Sequence, residues 1–190
     1  AGSGGWALGT LVMSHAAQAE LQPSTEEGVD WYNVQDWGLE GRAFSDTKSY
    51  FDRLPQRSEG VVRGPVWNLS LHSAGMAARF TTTSSDIHVR YRLKSANVAM
   101  PHMPATGVSG VDLYGKNKEG VDRWISVSRP AARDVVYKLA TGIDPGGDQG
   151  RLYTAYLPLY NGVEKLEFGV MEKSLFTPVK PRTEGTMVFY

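Results

Sequence analysis

The sequence contains no cysteine, which excludes disulfide staples, thiolate zinc sites and a cysteine nucleophile. It carries no net charge: 20 Lys and Arg balance 20 Asp and Glu, with no long basic run. A nucleic-acid-binding surface therefore has no support. Histidine is scarce. His15, His72, His88 and His102 stand far apart with no i, i+4 pair, so no metal site is expected. Long apolar runs are missing too: Trp6–Met13 falls short of the about 20 residues that a membrane-spanning helix needs. No amphipathic helix stands out. Asp46–Leu54 is the one stretch that reads as a helical turn, and it reads equally well as a loop.

What is present points to one β-rich core. With 190 residues, 41% of them apolar, the chain can bury a full core. Surface scaling gives roughly 9,000 Å² folded against about 30,000 Å² unfolded. Ile87, Val89, Tyr91 and Leu93 alternate with His88, Arg90, Arg92 and Lys94, the pattern of a half-buried strand whose polar side chains, His88 included, face water. The same period of two predicts strands at Trp67–Leu71, Val135–Leu139 and Leu166–Val170. Further strands are predicted at Trp31–Trp37, Met76–Thr81, Gly107–Tyr114, Val121–Val127 and Arg151–Leu157. Turn signals such as Ser73-Ala74-Gly75, Gly115-Lys116-Asn117 and Asn161-Gly162 separate them. Nine or so short strands with frequent turns predict an all-β, antiparallel β-sandwich, jelly-roll-like.

The two ends differ from this middle. Ala17-Gln18-Ala19 fits a signal-peptidase site, so residues 1–19 read as a signal-peptide remnant or a disordered tail. The first alternative implies export. Residues 20–176 form the expected sandwich, and 177–190 a Pro-punctuated linker with a final apolar run, Thr186–Tyr190. That run resembles a strand buried on both faces, as in a parallel α/β sheet, and suggests a chain truncated at the start of a second domain.

Candidate chemistry is thin. Asp144-Pro145-Gly146-Gly147-Asp148 lacks the ligand spacing of an EF-hand and reads as a hairpin tip. Gly107-Val108-Ser109-Gly110 is half of a nucleophile elbow, but it runs into an expected strand rather than a helix, so Ser109 reads as a small residue at a crowded strand start. The sequon Asn68-Leu69-Ser70 lies within a predicted strand. Trp31, Tyr32, Trp37, Trp67 and Trp124 are either core or a sugar-stacking platform, with Trp67 and Trp124 the stacking candidates. Met100-Pro101-His102-Met103-Pro104 places His102 in a proline-stiffened loop between strands, a common setting for a binding contact.

Three segments carry a resemblance: Trp67–Met76, Arg79-Phe80-Thr81-Thr82 with Ile87–Tyr91, and Met100–Tyr114. Together they resemble the N-terminal β-sandwich domain of two-domain SGNH (GDSL-like) hydrolases, bacterial carbohydrate-esterase-like enzymes, over about residues 30–190. The resemblance implies a following flavodoxin-like α/β domain, of which Thr186–Tyr190 looks like the first strand. It also implies that the nucleophile, the oxyanion-hole residues and the Asp-x-x-His block lie outside this chain. The expected role is then a non-catalytic accessory domain that packs on an esterase domain in cis. His102, Met103 and Pro104 would wall its cleft against an acylated polysaccharide, with no metal and no cofactor. A free-standing carbohydrate-binding module is the rival, and a purely structural domain with an exposed apolar patch is a third reading.

Overall fold

The structure, a computed structural model, describes residues 21–182. The expectations for the N-terminal remnant and for the strand Thr186–Tyr190 lie outside the described residues. Among the described residues, ten strands form two five-stranded sheets, antiparallel throughout. Sheet 1 has the order β1 (Ser24–Glu26), β2 (Val29–Asn33), β9 (Val163–Met171), β4 (Ile87–Leu93), β7 (Asp134–Ala140). Sheet 2 has the order β10 (Phe176–Pro178), β3 (Ala77–Thr82), β8 (Arg151–Tyr156), β5 (Asp112–Lys116), β6 (Asp122–Val127). The all-β sandwich expected from the sequence is the fold found.

The period-two stretches do what alternation requires. Ile87, Val89, Tyr91 and Leu93 of β4 and Leu166, Phe168 and Val170 of β9 enter one core with Phe80, Leu113, Tyr153 and Ala155 of sheet 2. Phe80 is fully buried and lies against three rings, Tyr153 at 5.7 Å, Phe168 at 5.0 Å and Phe176 at 5.1 Å between centroids. Phe176 in turn stacks on Tyr32 at 4.0 Å. Thr177 and Pro178, expected as linker, therefore belong to the sandwich, because β10 pairs with β3 and brings a core aromatic with it.

The chain alternates between sheets, and this sorts the connections. Four crossovers, residues 34–76, 94–111, 128–133 and 157–162, meet at one end of the sandwich. The opposite end holds the hairpins β1–β2 and β5–β6 and the crossovers at 83–86, 141–150 and 172–175. Asp144–Asp148 is thus part of a β7-to-β8 crossover rather than a hairpin tip; Asp144 Oδ1 accepts a hydrogen bond from Gly146 N at 3.0 Å.

The two outer faces differ in chemistry. Sheet 1 is laced by ion pairs: Arg90 with Glu167 and Glu26, Arg92 with Asp134, Lys138 with Asp86. Under them Trp31 lies flat at Gly169, where an added Cβ would sit 2.9 Å from the indole, and Arg90 covers the ring at 4.4 Å. His88, expected to face water, is half-buried edge-on to Trp31, 6.1 Å between centroids, with its Nε2 buried and without a hydrogen-bond partner. Sheet 2 instead presents Trp124, Tyr114 and Tyr156 on its outer face.

Three strand expectations fail for local reasons. Trp67–Leu71 lies within and just after a helix, α1 (Gly64–Ser70), which buries Trp67 and Ser70 and leaves Leu69 about half exposed. Pro65 in the first turn, where its missing N–H is not needed, starts this helix. Gly107–Tyr114 divides into α2 (Ala105–Ser109) and β5, because Pro104 sets an extended entry to a single helical turn. Trp31–Trp37 stops as a strand at Asn33, whose side chain accepts from Gln35 N at 3.1 Å and opens a 3-10 turn over Val34–Asp36. Asp46–Leu54 is turns and bends, without a helix.

Replacing Phe80 by Ala is expected to cost about 3–5 kcal/mol, the usual range for emptying an aromatic site in a packed core. Urea denaturation would show this as a lower midpoint at unchanged slope.

Candidate functional site

The crossover end carries most of the residues singled out from the sequence. Met100 and Met103 exchange backbone hydrogen bonds, Met100 N to Met103 O at 2.9 Å and Met103 N to Met100 O at 3.1 Å. This closes a tight turn with Pro101 and His102 exposed at its tip. Met103 is half-buried and packs over Gly107, where a Cβ would come within 2.9 Å of its Cγ. Pro104 is the extended residue that enters α2. The structure thus keeps His102, Met103 and Pro104 together as one stiff projection on the α2 turn.

A buried polar network holds that projection. The Asn161 side chain accepts from Ser95 N at 3.1 Å and donates to Ser95 O and Ser109 Oγ, each at 3.1 Å. The Tyr91 hydroxyl donates to Ser109 O at 3.0 Å and lies 2.8 Å from Ser128 Oγ, which itself accepts from Val111 N at 2.8 Å. Burial pushes the Tyr91 phenol up to about 12, so it stays protonated and can donate. Ser109 is fully buried and used in this network, which suits a structural part rather than a nucleophile. Gly110 has no room for a side chain: an added Cβ would lie 2.7 Å from Val127 Cγ2 and closer still to Thr106 O.

Beside this network lies a second cluster that the sequence did not announce. His72 meets Tyr160 edge-on at 6.4 Å, and Tyr160 N donates to Val108 O of α2 at 3.0 Å. Arg53 donates to the carbonyls of Leu69 and His72, satisfying the free end of α1 with a cation. Lys94 pairs with the buried Asp52. Burial, helped by Arg53 and Lys94, pulls the His72 imidazole below its ordinary range, so it is neutral near pH 7. Leu69, Leu159 and Tyr160 remain 49%, 49% and 42% exposed.

The two stacking candidates separate. Trp67 is buried in α1 packing and offers no ring face to a sugar. Trp124 is 57% exposed on the far strand of sheet 2, its Nε1 donating to Asp112 Oδ1 at 3.0 Å. The sequence signals for the missed residues were weak. Asn161-Gly162 reads as a turn, and nothing in one chain marks its amide as a buried hub.

Asp112 belongs to Gly110-Val111-Asp112-Leu113-Tyr114, the strand entry that the network and the Gly110 packing fix. Residues 29–176 match the family GxDLY, described as the N-terminus of SGNH-hydrolase-type esterases. The chain belongs to the GxDLY family. Its segment 110–114 spells the Gly-x-Asp-Leu-Tyr sequence of the family's name. Among solved structures, a Bacteroides ovatus ATCC 8483 protein assigned as a GDSL-like lipase superposes with a TM-score of 0.71 at 26% identity. That match covers 81% of this chain and 43% of the other. A salicylyl-acyltransferase from a tetracycline biosynthetic pathway gives 0.45 at 14% identity, over 87% of this chain and 42% of the other. This second likeness is too slight to bear on fold or function. The chain spans less than half the length of either solved protein. No curated protein matches it.

The Gly110 packing predicts that Gly110→Ala costs about 1–3 kcal/mol by overpacking, visible as a lower Tm. A pH series checks the electrostatics. Burial lowers the folded-state pKa of both His72 and His88 below 6.5, so the unfolded chain binds protons that the folded chain refuses. Stability is then fully present above that value and is lost as pH falls below it. For Glu40 and Glu167 burial opposes ionisation, but arginine and lysine hydrogen bonds win and hold both below 4.5, giving a second loss at lower pH. Tm should be flat above about pH 6.5 and drop in two stages on acidification, with His72→Gln and His88→Gln each weakening the first stage.

Proposed function

We propose that this GxDLY domain is the non-catalytic front part of an exported SGNH-type carbohydrate esterase. In this reading it packs on a following α/β domain and walls one side of the substrate cleft with the His102-Met103-Pro104 turn. The observation that carries it is the family match over residues 29–176 to the N-terminus of such esterases. The 43% coverage of the Bacteroides ovatus protein agrees with a front domain. Export rests on Ala17-Gln18-Ala19.

The chemistry divides between two bodies. In the following domain a serine attacks the acyl carbon, a histidine takes its proton, and positioned donors hold the oxyanion. This chain supplies a preformed wall. A turn already closed by two backbone hydrogen bonds presents an imidazole for hydrogen bonding and a methionine for apolar contact, with little left to order on binding. The substrate class that fits a wall remote from the nucleophile is an acylated polysaccharide, long enough to reach both.

The test begins with the natural reading frame past Tyr190, which should continue into a Gly-x-Ser turn and, farther on, Asp-x-x-His. In that longer protein, His102→Ala with Met103→Ala should lower kcat/KM on an acetylated polysaccharide about tenfold, near 1.4 kcal/mol. Hydrolysis of a small soluble ester should not change. Equal loss on both substrates, or none on either, would remove the cleft-wall role. A second reading, a free-standing carbohydrate-binding module, is favoured by the exposed Trp124 ring, and it requires glycan binding by residues 1–190 alone.

A further inference from the structure

The described chain leaves the sandwich at one edge of sheet 2, and it leaves under restraint. After β10, Val179 N donates to Arg79 O at 2.9 Å. Glu40 then blocks the edge, since it bridges Ala77 farther along the same side of β3. Arg182 closes on this carboxylate with Nε at 3.1 Å and Nη2 at 2.7 Å, while Arg79 holds it from the sheet at 2.9 Å. Pro181 packs beside Gly38, where a Cβ would lie 3.1 Å from its ring. Arg79 and Ala77 alternate with the inward-facing Ala78 and Phe80, so the Glu40 clamp sits on the outer side of sheet 2.

From that clamp two rows run across the outer face. The strand register aligns Glu40, Ala77, Tyr156 and Asp112 in one row and Arg79, Thr154, Tyr114 and Trp124 in the other. Tyr156 is 47% and Trp124 57% exposed, and Tyr114 meets Tyr156 edge-on at 5.6 Å. Exposed aromatic rings grouped among polar side chains on one sheet face point to an interface, where aromatic residues with one polar handle are typical. Sheet 1 shows the contrast: ion pairs lace its outer face, where Val136 and Met171 are the exposed apolar side chains. Five strands about 4.8 Å apart, three to six residues long at about 3.3 Å each, make a face of roughly 400 Å². Two such faces bury about 800 Å², within the range of interdomain contacts.

We infer that the outer face of sheet 2 is the docking face for the domain that follows Arg182, with Tyr156 and Trp124 as its anchors and the Glu40–Arg182 clamp setting its orientation. This rests on the reading that an α/β domain follows. The chain is handed over at one end of both rows, so the next folded body starts beside the patch. The eight residues from Thr183 to Tyr190 reach at most about 28 Å. Exposure of Trp124 then belongs to an interface between domains rather than to a sugar site.

Hydroxyl-radical footprinting of the 190-residue chain beside the full natural chain tests this. Oxidation of Trp124 and Tyr156 should slow several-fold in the longer protein, while Met171 on the outer side of sheet 1 keeps its rate as a reference. Glu40→Gln in the longer protein should speed proteolysis between residues 183 and 190 several-fold. Unchanged rates at Trp124 and Tyr156 in a longer protein that hydrolyses esters would overturn the docking face and leave the proposed function standing. A natural frame with no α/β domain would overturn both. Protection of Trp124 in the short chain by added polysaccharide would assign the face to a glycan instead.

Discussion

The amide of Asn161 is the interaction on which the crossover end depends. Crossovers between stacked sheets carry backbone groups over the open end of the core, where each unpaired group is costly. Asn161, itself on the 157–162 crossover, ties in two of the other three: 94–111 at Ser95 and Ser109 through its side chain, and 34–76 at Ser73 through its main-chain carbonyl at 3.2 Å. Ser73 returns the contact by accepting from Val163 N at 3.0 Å. With Tyr91 and Ser128 adding the fourth crossover, the end of the sandwich becomes one hydrogen-bonded plate. The His102 turn and the His72–Tyr160 pair stand on that plate, which is why loop residues there hold fixed positions without a disulfide or a metal.

Such a plate is difficult to read from one sequence. Strands β4 and β7 were legible because each buries one face and alternation records that burial directly. Strand β9 is buried on both faces from Leu166 to Val170, and β3 and β8 were legible as apolar stretches between turn signals. The same reasoning misled at α1. Trp67, Leu69 and Leu71 alternate, yet Leu69 is about half exposed and the burial follows the helical pair Trp67 and Ser70. Pro65 was the better local signal, since a proline at a helix start is a backbone constraint and alternation over five residues is a weak pattern. His88 failed for another reason. Its neighbour across the sheet is Gly169, which lets Trp31 lie flat, so an outward side chain is sheltered by a strand far away in sequence. The candidate site was legible only where rigidity is written locally, as in Met100-Pro101-His102-Met103-Pro104. Asn161, Glu40 and the His72–Tyr160 contact depend on partners tens of residues away.

The two sheets solve the problem of a water-facing outer surface differently. Sheet 1 covers an aromatic with a guanidinium and neutralises that cation with carboxylates on both sides, so Trp31 is buried although it lies outside the sandwich. Sheet 2 leaves its rings open and places its strongest ion cluster at one margin, around Glu40. Membership of a family defined as the N-terminal part of larger esterases gives this asymmetry a sense. If a following domain docks on sheet 2, as proposed above, one outer face serves water and the other serves that domain.

The position of Phe176 has a consequence for synthesis. Its ring fills the core between Tyr32 and Phe80, contacts reaching back across nearly the whole sequence. Because the chain alternates between sheets, no early fragment contains a complete layer, and formation of the native core is governed by long-range closure. A nascent chain of this protein therefore cannot shut its sandwich until residues 176–178 have left the ribosome. Until then the inner edge of β3 and the ring pocket stand open to chaperones or to a wrong strand. The strand that completes the fold is also the last among the described residues. Translation would thus leave the sandwich unsealed for most of its synthesis, giving the fold an order in time as well as in sequence.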